Sequence, residues 1–406
     1  MSMKLLMLCH DYPTPNRGDT TRAYNLIKQF STQYGYEIVL VSFKDKRAHR
    51  GVYCDLDSFC QVSTPIEIDM GPSFLTTLLH SLKNTVSPRN LISNNIRFLN
   101  YYYSPKMDTV IKELLKNESF DAIYADGLMA HYVSNVDLPK IVEPLDALSL
   151  SYREHYQKET NTVKKMILWL LYVKVSRYET NHFKEFDLCV VVTNEDKRAL
   201  EHQSHLINVV VIPMGTDISY FKPIDVQEDP YSLTFVSHLR RQNVVSSLLD
   251  FYFNVFPSII QEYPDIQFRI VGPEPPEVIR NLGLHGNVTV TGYVDDVRPY
   301  LARTSLVVVP MMQGWGMKSK VIQAMAMGKT VISTSDGALG IQVTHGKNML
   351  IANSTRDFIT CILTALSDEV LRKTIGSNAR ELIEQQYSWE EIAAKLNGLF
   401  QSIGGE

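Results

Sequence analysis

Short, almost wholly apolar runs punctuate this chain, and stretches with helical spacing separate them. Lys4–Cys9, Glu37–Ser42, Ala122–Tyr124, Lys140–Val142, Leu188–Thr193 and Val209–Ile212 predict strands in a first half. Leu233–Val236, Gln267–Val271, Val288–Thr291, Ser305–Val309 and Thr330–Ser333 predict strands in a second half. Between them, Asp19–Thr32, Glu195–His202, Ser246–Glu262 and Lys318–Met327 have the length and periodicity of helices. Strands this apolar have no wet face, so they suit parallel sheets covered by helices on both sides. The predicted fold class is α/β, with two Rossmann-like, doubly wound parallel sheets facing a cleft.

Pro213-Met-Gly-Thr-Asp-Ile-Ser-Tyr-Phe-Lys-Pro223 and the acidic stretch to Pro230 interrupt the pattern and read as the joint between two units. The expected domains are 1–214, 215–386 and a final helix in 387–406 that crosses back to the first domain. Ser388-Trp-Glu-Glu391 is a capping-box pattern that opens this helix. The run Lys164–Arg177 is basic at both ends, with Trp169 and Tyr172 between. It reads as an interfacial helix on an anionic membrane or as a buried element, and its all-round apolarity favours burial.

Composition narrows the class. The 406 residues are 45% hydrophobic and 21% charged, with a formal charge of −4, so nothing global points to nucleic acid as a partner. Five cysteines without C-x-x-C spacing suit a reducing compartment, and the expected location is cytoplasmic. The apolar start runs straight into Asp11-Tyr-Pro-Thr-Pro15 and reads as a first strand, not a leader. The longest apolar run, Met166–Val173, is far short of the about 20 residues of a membrane span.

The chemistry concentrates in Ser305–Thr334. A strand ends at Pro310, Gly314 and Gly316 follow, and a helix begins near Lys318. Glycines before a helix let backbone N–H groups crowd an anion, and the helix dipole adds positive charge. Lys318 and Lys320 at one helix start repel each other unless something negative lies between them; a diphosphate fits, as does a plain turn with solvated lysines. Gly328-Lys-Thr330 fails as a phosphate-binding P-loop because it follows its helix, and no Gly-x-Gly-x-x-Gly occurs. A first loop places Gly18 and Asp19 beside Arg17 and Arg22, suited to a phosphate or to a capped helix. Asp55-Leu-Asp57 lies in a polar loop, and Asp295-Asp296 suits a helix cap, so no metal site is expected. His10 and His238 end strands, while His345 sits in a loop.

The stretch Lys318-x-Lys320-x-x-Gln323-Ala-Met-Ala-Met-Gly-Lys329 resembles the donor-binding core of family 4 retaining glycosyltransferases of the GT-B fold, in a bacterial branch reading Gly-x-Gly-Met-x-x-Lys. Phe268–Pro273, Val290–Leu301, Val211–Asp217 with Phe221–Pro223, Tyr12–Arg22 and Asp146–Arg153 are similar to other segments of it. The resemblance spans nearly the whole chain and is more specific in its second half.

That resemblance implies transfer of a sugar from a UDP- or GDP-sugar to a hydroxyl of a glycan or lipid-linked acceptor, for polysaccharide biosynthesis. It implies no metal and no further cofactor, and it allows peripheral contact at the inner face of a membrane. Lys318, Arg240 and Arg241 would stabilise the leaving diphosphate, whose oxygen would take the acceptor proton. Asp146, after the strand Lys140–Val142, reads as a group that orients an acceptor hydroxyl or a donor sugar, or as an ordinary loop aspartate. Donor contacts would come from Gly18, Asp19, Arg22, His238, Asn243, Gly272, Gly292, Tyr293, Val294, Gly314, Trp315, Gly316, Met317, Lys320 and Gln323. Closure about Pro213–Phe221 would exclude water.

The sequence departs from the family where Gln313 and Gln323 stand in place of two glutamates, which removes two charge-assisted bonds. It departs again in Phe235–Asn243, where the usual Arg/Lys pair is displaced to Arg240 and Arg241. A catalytically weakened sugar-nucleotide-binding partner and a sugar-nucleotide epimerase are therefore alternatives.

Overall fold

The computed structural model describes residues 2–15, 20–45, 55–63, 65–68, 103–204, 206, 208–312 and 316–404. The chain divides into two compact units, Met1–Ile212 with Ala393–Glu406, and Pro213–Ile392.

The first unit is built on an eight-stranded sheet of β1 (Lys4–Cys9), β2 (Glu37–Asp45), β3 (Gln61–Val62), β4 (Ile66–Ile68), β5 (Ala122–Asp126), β6 (Lys140–Leu145), β7 (Leu188–Val191) and β8 (Val209–Val211). Its order is β3-β2-β1-β5-β6-β7-β8, with β4 added beside β2, and every described pairing is parallel. Leu5, Leu6, Met7 and Leu8 are all fully buried, so β1 is covered on both faces. The second unit has six parallel strands: β9 (Ser232–Val236), β10 (Gln267–Val271), β11 (Val288–Gly292), β12 (Leu306–Val309), β13 (Val331–Ser333) and β14 (Leu350–Ile351). Their order is β11-β10-β9-β12-β13-β14. Two parallel α/β sheets confirm the fold class read from the apolar pattern.

The expected strands appear with edges shifted by up to three residues. The run from Lys140 continues to Leu145 through a register shift, and Leu145 itself has φ of 62°. The single helix expected over Ser246–Glu262 is two, Gln242–Asn254 and Phe256–Glu262. Pro257 is the cause: it lacks an N–H and its ring clashes with the preceding turn, so it fits only in the first turn of a new helix. This stretch is the one among the described residues with the length and apolarity of a membrane span. Val244, Leu248, Phe251, Phe256 and Ile259 are instead buried in the core of the second unit.

The helix Thr162–Phe183 also departs from expectation. Only from Val175 onward does it bury side chains, among them Tyr178, Glu179 and Phe183. Its first half leaves Val163, Met166 and Trp169 exposed at 63%, 57% and 46%, so the burial that the all-round apolarity favoured holds for half the helix. The final helix, Trp389–Ile403, opens as expected with Ser388 Oγ accepting the Glu391 N–H at 3.2 Å.

Candidate functional site

The carboxyl edge of the second sheet collects most of the residues singled out above. The chain leaves β9 toward β10 and β11 on one side, then returns to place β12 on the other. Winding reverses between β9 and β12, and in open parallel sheets ligands bind outside the strand ends at such a reversal. His238, Arg240 and Arg241 lie on the loop after β9, all exposed, with Asn243 half-buried in the first turn of helix Gln242–Asn254. Gly316, Met317 and Lys318 lie on the loop after β12. Ser247 Oγ accepts the Met312 N–H at 3.1 Å and ties the two sides together.

Helix Ser319–Ala326 begins at this point with Lys318 as its N-cap, no capping side chain and no acid in its first turn. Its N–H groups and dipole therefore add to the lysines' charge. Gly316 has φ of 65°, a conformation costly for any other residue, and its carbonyl accepts from Lys318 Nζ at 2.7 Å. Lys320 opens to solvent and donates to Gln323 Oε1 at 3.0 Å. Partial desolvation by the surrounding protein draws its pKa below the ordinary lysine value. A partly desolvated cation at a helix N-terminus is an anion-binding arrangement. Arg240 instead reaches Glu274 at 3.5 Å, an exposed pair of little energetic weight.

Two loops complete this edge. Gly272, after β10, has φ of 153°, and a Cβ there would meet Ser237 O at 1.7 Å, so no other residue fits. Its N–H donates to the Gly292 carbonyl at 3.1 Å and joins the loops after β10 and β11. Tyr293 is exposed, while Val294 packs partly against the core. Asp296 accepts the Arg298 N–H at 2.9 Å, which starts the helix Arg298–Arg303. Hydrogen bonds from the Arg298 side chain hold the Asp296 carboxyl below the usual range, and its guanidinium lies 3.7 Å from the Tyr220 ring centroid. Arg380, unremarked in the sequence, donates to the carbonyls of Ile218, Phe221 and Ala326 and so fixes the segment after Pro213 to its own unit. A carbonyl-binding role of this kind has no sequence signature.

In the first unit the charges turn inward. Arg22, expected at a donor phosphate, is buried and pairs with buried Glu143 at 2.5 Å, and it also donates to Ile212 O at 3.3 Å. The helix face it occupies is buried in the first unit. Asp146 follows β6 at the carboxyl edge, half-buried. Its loop is pinned from behind: Asp196 accepts the Ala147 N–H at 2.8 Å and Glu179 accepts the Ser149 N–H at 3.1 Å. Burial pushes the Glu179 carboxyl up to about 7, against the opposing effect of the Ser149 hydrogen bonds. His10, just past β1, meets Asp126 at the end of β5, with Nδ1 to Oδ2 at 2.6 Å. Of this pair the sequence offered only the histidine. Gly18, Asp19, Gly314, Trp315, Arg17 and Gln313 lie outside the described residues. Among the described residues no cluster of three metal-ligating side chains occurs, and Asp55 accepts a hydrogen bond from the Tyr24 hydroxyl.

The fold defines the class: two parallel-sheet α/β units of the GT-B glycosyltransferase kind. Sucrose-phosphate synthase from Thermosynechococcus elongatus superposes with a TM-score of 0.70 at 16% identity, over 98% of each chain. Anabaena HepE, solved in complex with UDP and glucose, gives 0.64 at 17% identity, over 98% of this chain and 100% of that one. Residues 230–368 match the family described as Glycosyl transferases group 1, so the second unit contains a domain of that group. An uncharacterized glycosyltransferase of Methanocaldococcus jannaschii is 32% identical over 31% of this chain, a match spanning only 36% of that protein. One subunit of the human phosphatidylinositol N-acetylglucosaminyltransferase is 21% identical over 99% of this chain and 76% of its own length.

Proposed function

We propose that the chain is a retaining glycosyltransferase of the family 4 type, which moves a sugar from a UDP- or GDP-sugar to a hydroxyl of a glycan or lipid-linked acceptor without a metal. One observation carries this reading: an acid-free helix N-terminus bearing Lys318 and Lys320, at the winding reversal of a glycosyltransferase group 1 domain. As the glycosidic bond breaks, negative charge develops on the diphosphate. Lys318, Lys320 and the N–H groups of Ser319 and its neighbours stabilise that charge without reorganising. Arg241, at the N-cap of the helix after β9, and Arg240 approach the same reversal from the other strand. The loops joined by Gly272 and Gly292 seat the nucleoside, with Tyr293 and Val294 at the base and Gln323 at the ribose. Anabaena HepE, of the same fold, holds UDP and glucose.

Incubation with UDP-, GDP- and ADP-sugars in the absence of acceptor tests the reading. Slow hydrolysis of one donor is the expected result. Epimerised donor would make the chain an epimerase, and nucleotide affinity without turnover would make it a binding partner of another enzyme.

The exposed Val163, Met166 and Trp169, with Lys164 and Lys165 beside them, support a peripheral membrane contact, the setting in which a lipid-linked acceptor is met. Salt-sensitive cosedimentation with anionic vesicles, weakened in Trp169→Ser, is expected; equal recovery of both proteins with vesicles would exclude that contact.

A further inference from the structure

The amino edge of the second sheet, opposite the edge that carries Lys318, holds a cavity of about 690 Å³. Its walls come from the ends leading into β9, β12 and β13, from the helix Glu369–Gln386 and from the segment between Pro223 and Pro230. That volume falls among small-molecule sites, which run from about 300 to 1,000 Å³. The segment is fastened at both ends. Arg380 donates to the Phe221 carbonyl at 2.7 Å before it, and the Asp229 N–H donates to Arg303 O at 2.8 Å after it.

Between these fastenings Glu228 meets a group of cations. Its Oε1 accepts from buried Lys329 Nζ at 2.5 Å, and its Oε2 lies 3.6 Å from Arg372 Nη2. Two cations thus share one carboxylate, and a surplus positive charge away from water is costly until an anion joins it. The Arg372 side chain is 13% exposed; Nη1 donates to Ala365 O at 3.0 Å, while Nε is buried without an acceptor. Nε and Nη2 form one edge of the guanidinium, the kind that grips an oxyanion through two parallel hydrogen bonds. Lys373, the next residue of the helix, lines the same cavity and pairs at the surface with Glu369 at 2.6 Å.

We propose that this cavity is a second ligand site, which binds a soluble phosphate monoester, and that Glu228 is the resident carboxylate the ester displaces. Its phosphate lies on the Arg372 edge, Lys373 and Lys329. A tetrahedral dianion offers oxygens to all three and cancels the charge that one carboxylate leaves over. A bare phosphate leaves most of the volume unfilled. The body of the ester lies against Gln227 and Ser377, whose polar side chains suit a sugar or another polyhydroxy chain.

A hexose 6-phosphate and orthophosphate, titrated by calorimetry at physiological salt into the native chain, Lys373→Ala, Glu228→Gln and Lys318→Ala, test the site. The ester should bind the native chain more tightly than orthophosphate does. Its affinity should be about tenfold weaker in Lys373→Ala, about tenfold tighter in Glu228→Gln and unchanged in Lys318→Ala. Lys373 is exposed, so its variant keeps the fold even if Glu228→Gln, which strips Lys329 of its partner, does not. No binding to the native chain, or equal affinity in Lys373→Ala, would overturn the site. Weakening confined to Lys318→Ala would place the phosphate on the opposite edge and overturn it as well, and an affinity not raised in folded Glu228→Gln would overturn the displacement. None of these readouts needs donor turnover, so they stand whether or not the chain is a transferase.

Discussion

The carboxyl edges of the two sheets handle charge in opposite ways. On the second, Arg240, Arg241 and Lys320 are exposed, and the helix that begins beside Lys318 has no acid in its first turn. On the first, ionisable groups answer one another within the protein: Arg22 with Glu143, His10 with Asp126, and Glu179 and Asp196 with backbone N–H groups. Charges paired internally fix loop geometry, whereas charges facing water are available to an anion that arrives. The first edge holds its loops with these pairs, and the second leaves its cations at the surface.

Breaking the most buried of these pairs gives the largest effect. Arg22→Ala leaves Glu143 charged, buried and alone, and should lower stability by about 3–5 kcal/mol in urea titration. Nucleotide affinity measured on the folded fraction shows whether Arg22 also reaches the donor: unchanged affinity would confine it to the Glu143 pair, and a matching loss would place it at the donor phosphate.

The Glu179 carboxyl sharpens the contrast through pH. Its folded value of about 7 lies above the ordinary 4.5. A raised acid pKa means the native state holds the proton more tightly than the unfolded chain. Its stabilising contribution is complete below about 4.5 and lost as pH rises to about 7, a change of about 3 kcal/mol at most. Glu179→Gln keeps an acceptor for Ser149 and cannot ionise. The native Tm should fall between pH 5 and 8 relative to the variant's, and parallel curves would show that Glu179 titrates normally.

On the second sheet's edge, Lys318→Ala should weaken UDP or GDP affinity at least tenfold, a loss of about 1.4 kcal/mol by calorimetry. Unchanged affinity would remove Lys318 from the site. The smallest change is expected from Gln323→Glu, which should preserve or raise turnover because it supplies a charged acceptor for a ribose hydroxyl. Abolished turnover would show that the amide N–H is needed.

Periodicity alone made most of both sheets legible, because strands buried on two faces read as continuous apolar runs. Short edge strands such as β14 escaped, since two residues carry no period. The break at Pro257 was visible in the letter itself, yet the surrounding apolar spacing reads through it. The strand–loop–helix junction at Lys318 was legible for a related reason: a glycine and a helix start act through their immediate chain neighbours.

Sequence therefore determined the two parallel α/β sheets and the helix start that carries Lys318. Tertiary structure alone decided which charges face inward. Arg22 meets Glu143 across 121 residues and His10 meets Asp126 across 116, so each pairing exists only once the strands that carry them lie side by side. It also decided that the first half of Thr162–Phe183 is left at the surface. Local patterns can state that a side chain is apolar or charged; its partner is chosen by the long-range packing of the sheet.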